Sequence, residues 1–132
     1  MTLALVDSSV WGRRTQSFVG AALVRAIEKD EIGVIEPIVM ELLRSARDAS
    51  DFAGLSSQYD ALHQIELTPE MNARARAIQS AVSRRGYHRG PSVTDLLAAA
   101  AAEAVGAELW HCDRQFELIA EVTGQQLRRL GT

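Results

Sequence analysis

The sequence predicts an α/β domain built on a mostly parallel sheet that is covered on both faces. Short apolar runs of strand length alternate along the chain with segments whose apolar residues recur at helical spacing. No internal repeat or low-complexity linker breaks this alternation. A further pattern bears on chemistry. Four acids, Asp7, Glu41, Asp95 and Asp113, each stand at the end of an apolar strand-like run or inside an otherwise apolar helix. A lone buried carboxylate costs on the order of several kcal/mol unless it is paired or metal-bound.

Leu3-Ala4-Leu5-Val6 reads as the first strand, and Asp7-Ser8-Ser9 as its end and the cap of the following helix. From Phe18 to Lys29, the residues Phe18, Ala22, Leu23, Ala26 and Ile27 share one face, which predicts an amphipathic helix. Glu31-Ile32-Gly33-Val34-Ile35 is a second short strand. Pro37 then suits the first turn of a helix through Met40, Leu43 and Ala46. A helix follows over Ser50 to Leu62, and Ile65-Glu66-Leu67 reads as strand three.

Thr68 caps a helix with Pro69 at its first position; the helix runs to about Arg85 and Gly86 stops it. Tyr87-His88-Arg89-Gly90-Pro91 is a loop by its Gly and Pro content. Ser92-Val93-Thr94-Asp95 has the form of a capping box before a long alanine-rich helix that includes Ala98 to Ala102. Glu108 to His111 is strand four, Asp113 to Thr123 a helix, and Gln126 to Leu130 a short fifth strand.

With 132 residues, 47% of them hydrophobic, residues 1–132 fit one domain with an ample core. The single cysteine, Cys112, excludes an internal disulfide framework and indicates a reducing compartment. The N-terminus meets Asp7 too soon for a secretory signal, and no apolar stretch has the roughly 20 residues that span a membrane. These features predict a cytoplasmic protein without a membrane partner. The net charge of -3 hides an asymmetry: setting the four acids aside leaves 13 acids against 14 bases, and 13 of those bases are Arg. Arg presents a planar fork suited to phosphate, although it is also an ordinary surface base.

In parallel sheets ligands bind beyond the carboxyl ends of the strands. Asp7 and Asp113 follow strands one and four, Glu41 lies one turn into the helix after strand two, and Asp95 opens the helix before strand four. All four can reach one rim. Oxygen ligands gathered there would suit a hard divalent cation.

The runs Ala4-Leu5-Val6-Asp7-Ser8-Ser9-Val10-Trp11, Pro37-Ile38-Val39-Met40-Glu41-Leu42-Leu43-Arg44, Ser92-Val93-Thr94-Asp95-Leu96-Leu97-Ala98-Ala99 and Leu109-Trp110-His111-Cys112-Asp113-Arg114-Gln115-Phe116 resemble, in order and spacing, the motif set of PIN-domain ribonucleases. The resemblance is greatest to the VapC toxins of toxin–antitoxin pairs and covers nearly the whole chain. It implies a three-layer α/β/α sandwich that binds Mg²⁺ or Mn²⁺ and cleaves single-stranded regions of RNA with a metal-activated water. On this reading Asp7, Glu41 and Asp95 are the principal metal ligands. Asp113 is a ligand of a second metal or organises its water shell, and Ser9 supports a ligand carboxylate. The resemblance further implies a cognate VapB-like antitoxin and a homodimer. This chain departs from many relatives at Gln115, which carries no charge where a further acid often stands.

Arg84, Arg85 and Arg89 form the densest basic segment, readable as RNA-phosphate contacts or as a helix end whose cations offset the macrodipole. Arg13 and Arg14 are a weaker version. His111 and Cys112 have no further Cys or His at zinc-ligand spacing, which favours strand packing. Trp11 suits a core or dimer contact, or the stacking of a base. Two rival functions remain at this level. One is a magnesium-dependent phosphatase with Asp7 as nucleophile, which would want a second acid where Ser9 stands and a dedicated lysine, whereas Lys29 is the only one. The other is a catalytically inactive partner-binding module.

Overall fold

A computed structural model of the protein describes residues 2–131. Among them run β1 (Ala4–Val6), α1 (Ser8–Trp11), α2 (Ser17–Glu28), β2 (Ile32–Val34), α3 (Glu36–Leu43), α4 (Ala49–Asp60), β3 (His63–Gln64), α5 (Pro69–Ser83), α6 (Val93–Val105), β4 (Glu108–His111), α7 (Gln115–Thr123) and β5 (Leu127–Arg129). The five strands form one sheet in the order β3-β2-β1-β4-β5, and every pairing is parallel. Parallel neighbours need crossover helices, and right-handed crossovers put the helices on opposite faces where the strand order reverses. The packing agrees, since α3 packs on α1 and α4, while α5, α6 and α7 pack on one another. The result is the expected three-layer α/β/α arrangement.

The core lies between these layers. Leu5, Val6, Val34 and Leu109 are fully buried in the sheet. Ala98 to Ala102 are buried on every side of α6, which is wedged between the sheet and its neighbouring helices. A helix apolar all round belongs in such a place. Short side chains let it approach closely on all sides.

The structure differs from the sequence-based expectations in several places. The third strand is His63–Gln64 rather than Ile65-Glu66-Leu67. Pairing continues only as far as Ile65, whose N–H donates to Val34 O at 2.8 Å. Beyond it the Thr68 cap and Pro69 turn the chain into α5. The buried stripe of α2 is Val19, Leu23 and Ala26, whereas Phe18 and Ile27 flank it at 65% and 46% exposure. Ala46 lies past the end of α3, where bonds such as Ala46 N–H to Leu43 O tighten the chain into turns. Helix α7 begins at Gln115, two residues after Asp113. No helix among the described residues is long and apolar enough to cross a membrane.

Candidate functional site

Strand order reverses direction at β1 and β4, and the crevice for a ligand opens above the carboxyl ends of those two strands. Asp7 and Asp113 follow them directly. The seam is closed by the Asp7 N–H, which donates to Trp110 O at 2.9 Å. Asp7 is the N-cap of α1, and its Oδ2 accepts from the Ser9 N–H at 3.0 Å and the Ser9 hydroxyl at 2.6 Å. The Ser9 oxygen in turn accepts from the Cys112 N–H at 3.1 Å. One hydroxyl therefore joins the acid after β1 to the end of β4.

Glu41 lies on the exposed side of α3, where its Oε2 accepts from the Ser8 hydroxyl at 3.0 Å. Asp95 completes the capping box of α6: its Oδ2 accepts from Ser92 N–H at 2.8 Å, and its own N–H donates to Ser92 Oγ at 3.1 Å. Asp113 Oδ1 accepts from Gln115 N–H at 3.0 Å. Three of the acids thus stand at the N-termini of α1, α6 and α7, where the positive ends of helix dipoles offset part of their mutual repulsion. α1 and α7 start at this rim because each follows the carboxyl end of a parallel strand, and α6 starts there because it runs back across the sheet before entering β4.

The electrostatics tie the four together. Burial raises the Asp7 carboxyl above its ordinary value, against hydrogen bonds from Ser9 and Ser8, and the Glu41 charge raises it further. Burial pushes Asp95 up to about 6, with the charges of Asp7 and Asp113 adding to the effect and Ser92 opposing it. The Glu41 charge thus acts on Asp7, and the Asp7 and Asp113 charges on Asp95, which links the four carboxylates pair by pair. None of them is in an ion pair among the described residues. Ser9 donates to Asp7 Oδ2, Ser8 to Glu41 Oε2, the Ser92 N–H to Asp95 Oδ2 and the Gln115 N–H to Asp113 Oδ1.

An oxygen-only donor set under like-charge repulsion fits a hard divalent cation, whose charge would offset that repulsion. Among the described residues, no three His, Cys, Asp or Glu side chains are gathered closely enough to hold an ion as they stand.

Other candidates fall elsewhere. Arg84, Arg85 and Arg89 are exposed beyond α5, and Arg85 is paired with Glu121 at 2.8 Å. Arg13 and Arg14 donate to Ser9 O and Trp11 O, both at 2.9 Å, and so serve the backbone around α1. His111 is buried, its Nδ1 lies 2.9 Å from Asp113 O, and burial lowers its pKa; it is a packing residue of β4 that steadies the Asp113 turn. Cys112 is buried beside Leu130 O. Trp11 packs edge-on against Tyr59 at 5.7 Å between centroids, in the core. Lys29 caps the C-terminal end of α2, next to the start of β2, and so lies at the end of the sheet opposite the acids. The phosphatase reading loses its lysine there. Ser8, part of the α1 cap in the sequence, also donates to Glu41; its place beside Asp7 is the sequence signal for a role there.

A sequence model of the PIN domain matches residues 4–122. The chain is similar to Ribonuclease VapC18 of Mycobacterium tuberculosis, 33% identical over 122 residues that cover 91% of this chain and 89% of that protein. It is also similar to Ribonuclease VapC51 of the same organism, 35% identical over 121 residues, covering 92% and 88% respectively. Among solved structures, VapBC2 from Rickettsia felis bound to a promoter DNA fragment aligns with a TM-score of 0.78 at 14% identity, over 98% of this chain and 100% of that one. VapBC from Salmonella typhimurium, also bound to DNA, aligns with a TM-score of 0.77 at 14% identity over 98% of both chains.

Proposed function

The chain belongs to the PIN-domain family, and from that premise we propose that it is an endoribonuclease toxin of the VapC kind, dependent on Mg²⁺ or Mn²⁺ and restrained by a VapB-like antitoxin. The observation that carries this reading is the row Glu41, Asp7, Asp95 and Asp113 at the reversal point of the sheet, unpaired by any cation among the described residues. The VapC ribonucleases to which the chain is similar support RNA as the substrate. The fold shared with VapBC assemblies is consistent with an antitoxin partner. We read residues 1–132 as one nuclease domain, working in the cytoplasm and as a homodimer.

Asp7, Glu41 and Asp95 would hold the cation, with Asp113 ligating a second ion or ordering its waters. When bound, such an ion supplies a water acidic enough to act as hydroxide near neutral pH, for in-line attack on the phosphodiester. The chain's own groups prepare for this. Ser9 fixes the Asp7 carboxylate through Oδ2, Ser8 restrains Glu41, and Ser92 holds Asp95 at the first turn of α6. Asp95, with a pKa of about 6, must release its proton before it can ligate, so cation affinity falls below that pH.

The test is cleavage of total cellular RNA by the purified chain with Mg²⁺ or Mn²⁺, with a chelator, and with Asp7→Asn as control. Discrete fragments that need both the cation and Asp7 are expected. Cleavage that survives the chelator or Asp7→Asn would overturn the reading.

A further inference from the structure

A second polar feature lies away from the acids, on the sheet face that α2 flanks beside β4 and β5. It is a groove of about 350 Å³ between α2 and the β4–β5 edge. Phe18, Ala22, Arg25 and Lys29 recur along α2 on its groove side. Seven residues at 1.5 Å rise put Phe18 and Arg25 about 10 Å apart along the axis. Opposite them the Arg128 guanidinium lies over the Trp110 ring, 4.6 Å from its centroid. Arg25, Lys29 and Arg128 are exposed and form no ion pair among the described residues. Glu31 is the one acid lining the groove.

Phe18 is 65% exposed, so its ring is open to a stacking partner. An aromatic face beside three unpaired cations, across a floor of small alanines, matches the needs of a single-stranded nucleic acid: a base to stack and phosphates to neutralise. We propose that this groove is a second RNA-binding site, in which Arg25, Lys29 and Arg128 hold phosphates and Phe18 stacks a base, anchoring substrate away from the acid rim. The proposal rests on the ribonuclease reading. It accounts for cations that neither the core nor the acid rim uses.

The experiment measures the binding of a fluorescent single-stranded RNA by the full chain, with chelator present, as a function of salt. Variants are Arg25→Ala, Lys29→Ala, Arg128→Ala and Phe18→Ala, each checked for an unchanged melting midpoint. Lys29→Ala leaves the Trp110 stack intact and stands in if Arg128→Ala unfolds. Each lost cation should flatten the log–log salt dependence by about 0.7. Phe18→Ala should weaken binding equally at all salt concentrations. In Mg²⁺, the variants should raise KM for RNA cleavage with kcat unchanged. Slopes equal to wild type in Arg25→Ala and Lys29→Ala would overturn the proposal. So would weakened binding of polyglutamate with RNA binding intact, which would make the groove a site for an acidic protein segment. If the wild-type chain cuts RNA while the slopes stay unchanged, the groove assignment alone falls. If it cuts none, the ribonuclease reading falls, and the slopes in chelator still decide the groove.

Discussion

The Ser9 hydroxyl donates to Asp7 Oδ2 at 2.6 Å while its oxygen accepts from the Cys112 N–H at 3.1 Å, so one side chain orients the most buried acid and ties β1 to β4. Ser9→Ala would leave the Cys112 N–H without its partner, at a cost of about 1–3 kcal/mol. It would also release Asp7, and loss of such a supporting contact to a ligand typically lowers metal affinity about 10–100-fold. Ser9→Thr keeps the hydroxyl and should restore much of both. Urea unfolding and Mn²⁺ titration of the two variants would check this. Equal losses in Ala and Thr would point to side-chain volume instead.

Asp95 predicts a pH dependence of stability. Its folded-state pKa is pushed up to about 6 from 3.8, chiefly by burial and then by Asp7 and Asp113. Between those values the folded chain holds more protons than the unfolded one. Stability from this group is therefore full below about pH 4 and lost as pH rises through about 6. Asp95→Asn keeps the acceptor for Ser92 and removes the charge. In chelator it should stabilise the chain at pH 8 by about 1–2 kcal/mol, discounted for partial exposure, and give no gain at pH 4. Urea melts at the two pH values decide it; a gain of the same size at both would contradict the assignment.

Gly20 sits inside α2, where helix propensity alone favours alanine by about 0.5–1 kcal/mol. A Cβ there would stand 2.5 Å from Arg14 O, a backbone atom that cannot swing aside. The close approach should outweigh propensity, so Gly20→Ala should destabilise by about 1–3 kcal/mol. Thermal melts would show it, and a raised midpoint would mean that the turn before α2 yields easily.

Much of this was legible in the sequence, for physical reasons. Asp7 stands out because a buried charge after an apolar strand is costly, whereas Glu41 is exposed on α3 and carries no such cost; the capping box at Ser92 and Asp95 and the Thr68-Pro69 start of α5 are local signals that the structure reproduces. The third strand lies before the Ile65-Glu66-Leu67 run that its pattern points to, because it is an edge strand of two residues with one neighbour and Ile65 beyond its end dominates the pattern. The Ser9 to Cys112 bridge joins residues 103 apart, and the groove draws its cations from α2 and β5. Such juxtapositions come from topology, which periodicity does not carry. The spacing of Phe18 fits the apolar face of α2, yet burial follows only the narrower stripe through Val19, Leu23 and Ala26.

Mn²⁺ titration by calorimetry tests the acid rim most directly, using the wild type and Asp7→Asn, Glu41→Gln, Asp95→Asn and Asp113→Asn at pH 7.5. The wild type should bind, Asp7→Asn and Asp95→Asn should lose measurable binding, and Glu41→Gln and Asp113→Asn should weaken it, all with folds intact. Wild-type affinity retained in all four variants would contradict the account, because the row of carboxylates would then not be the cation site.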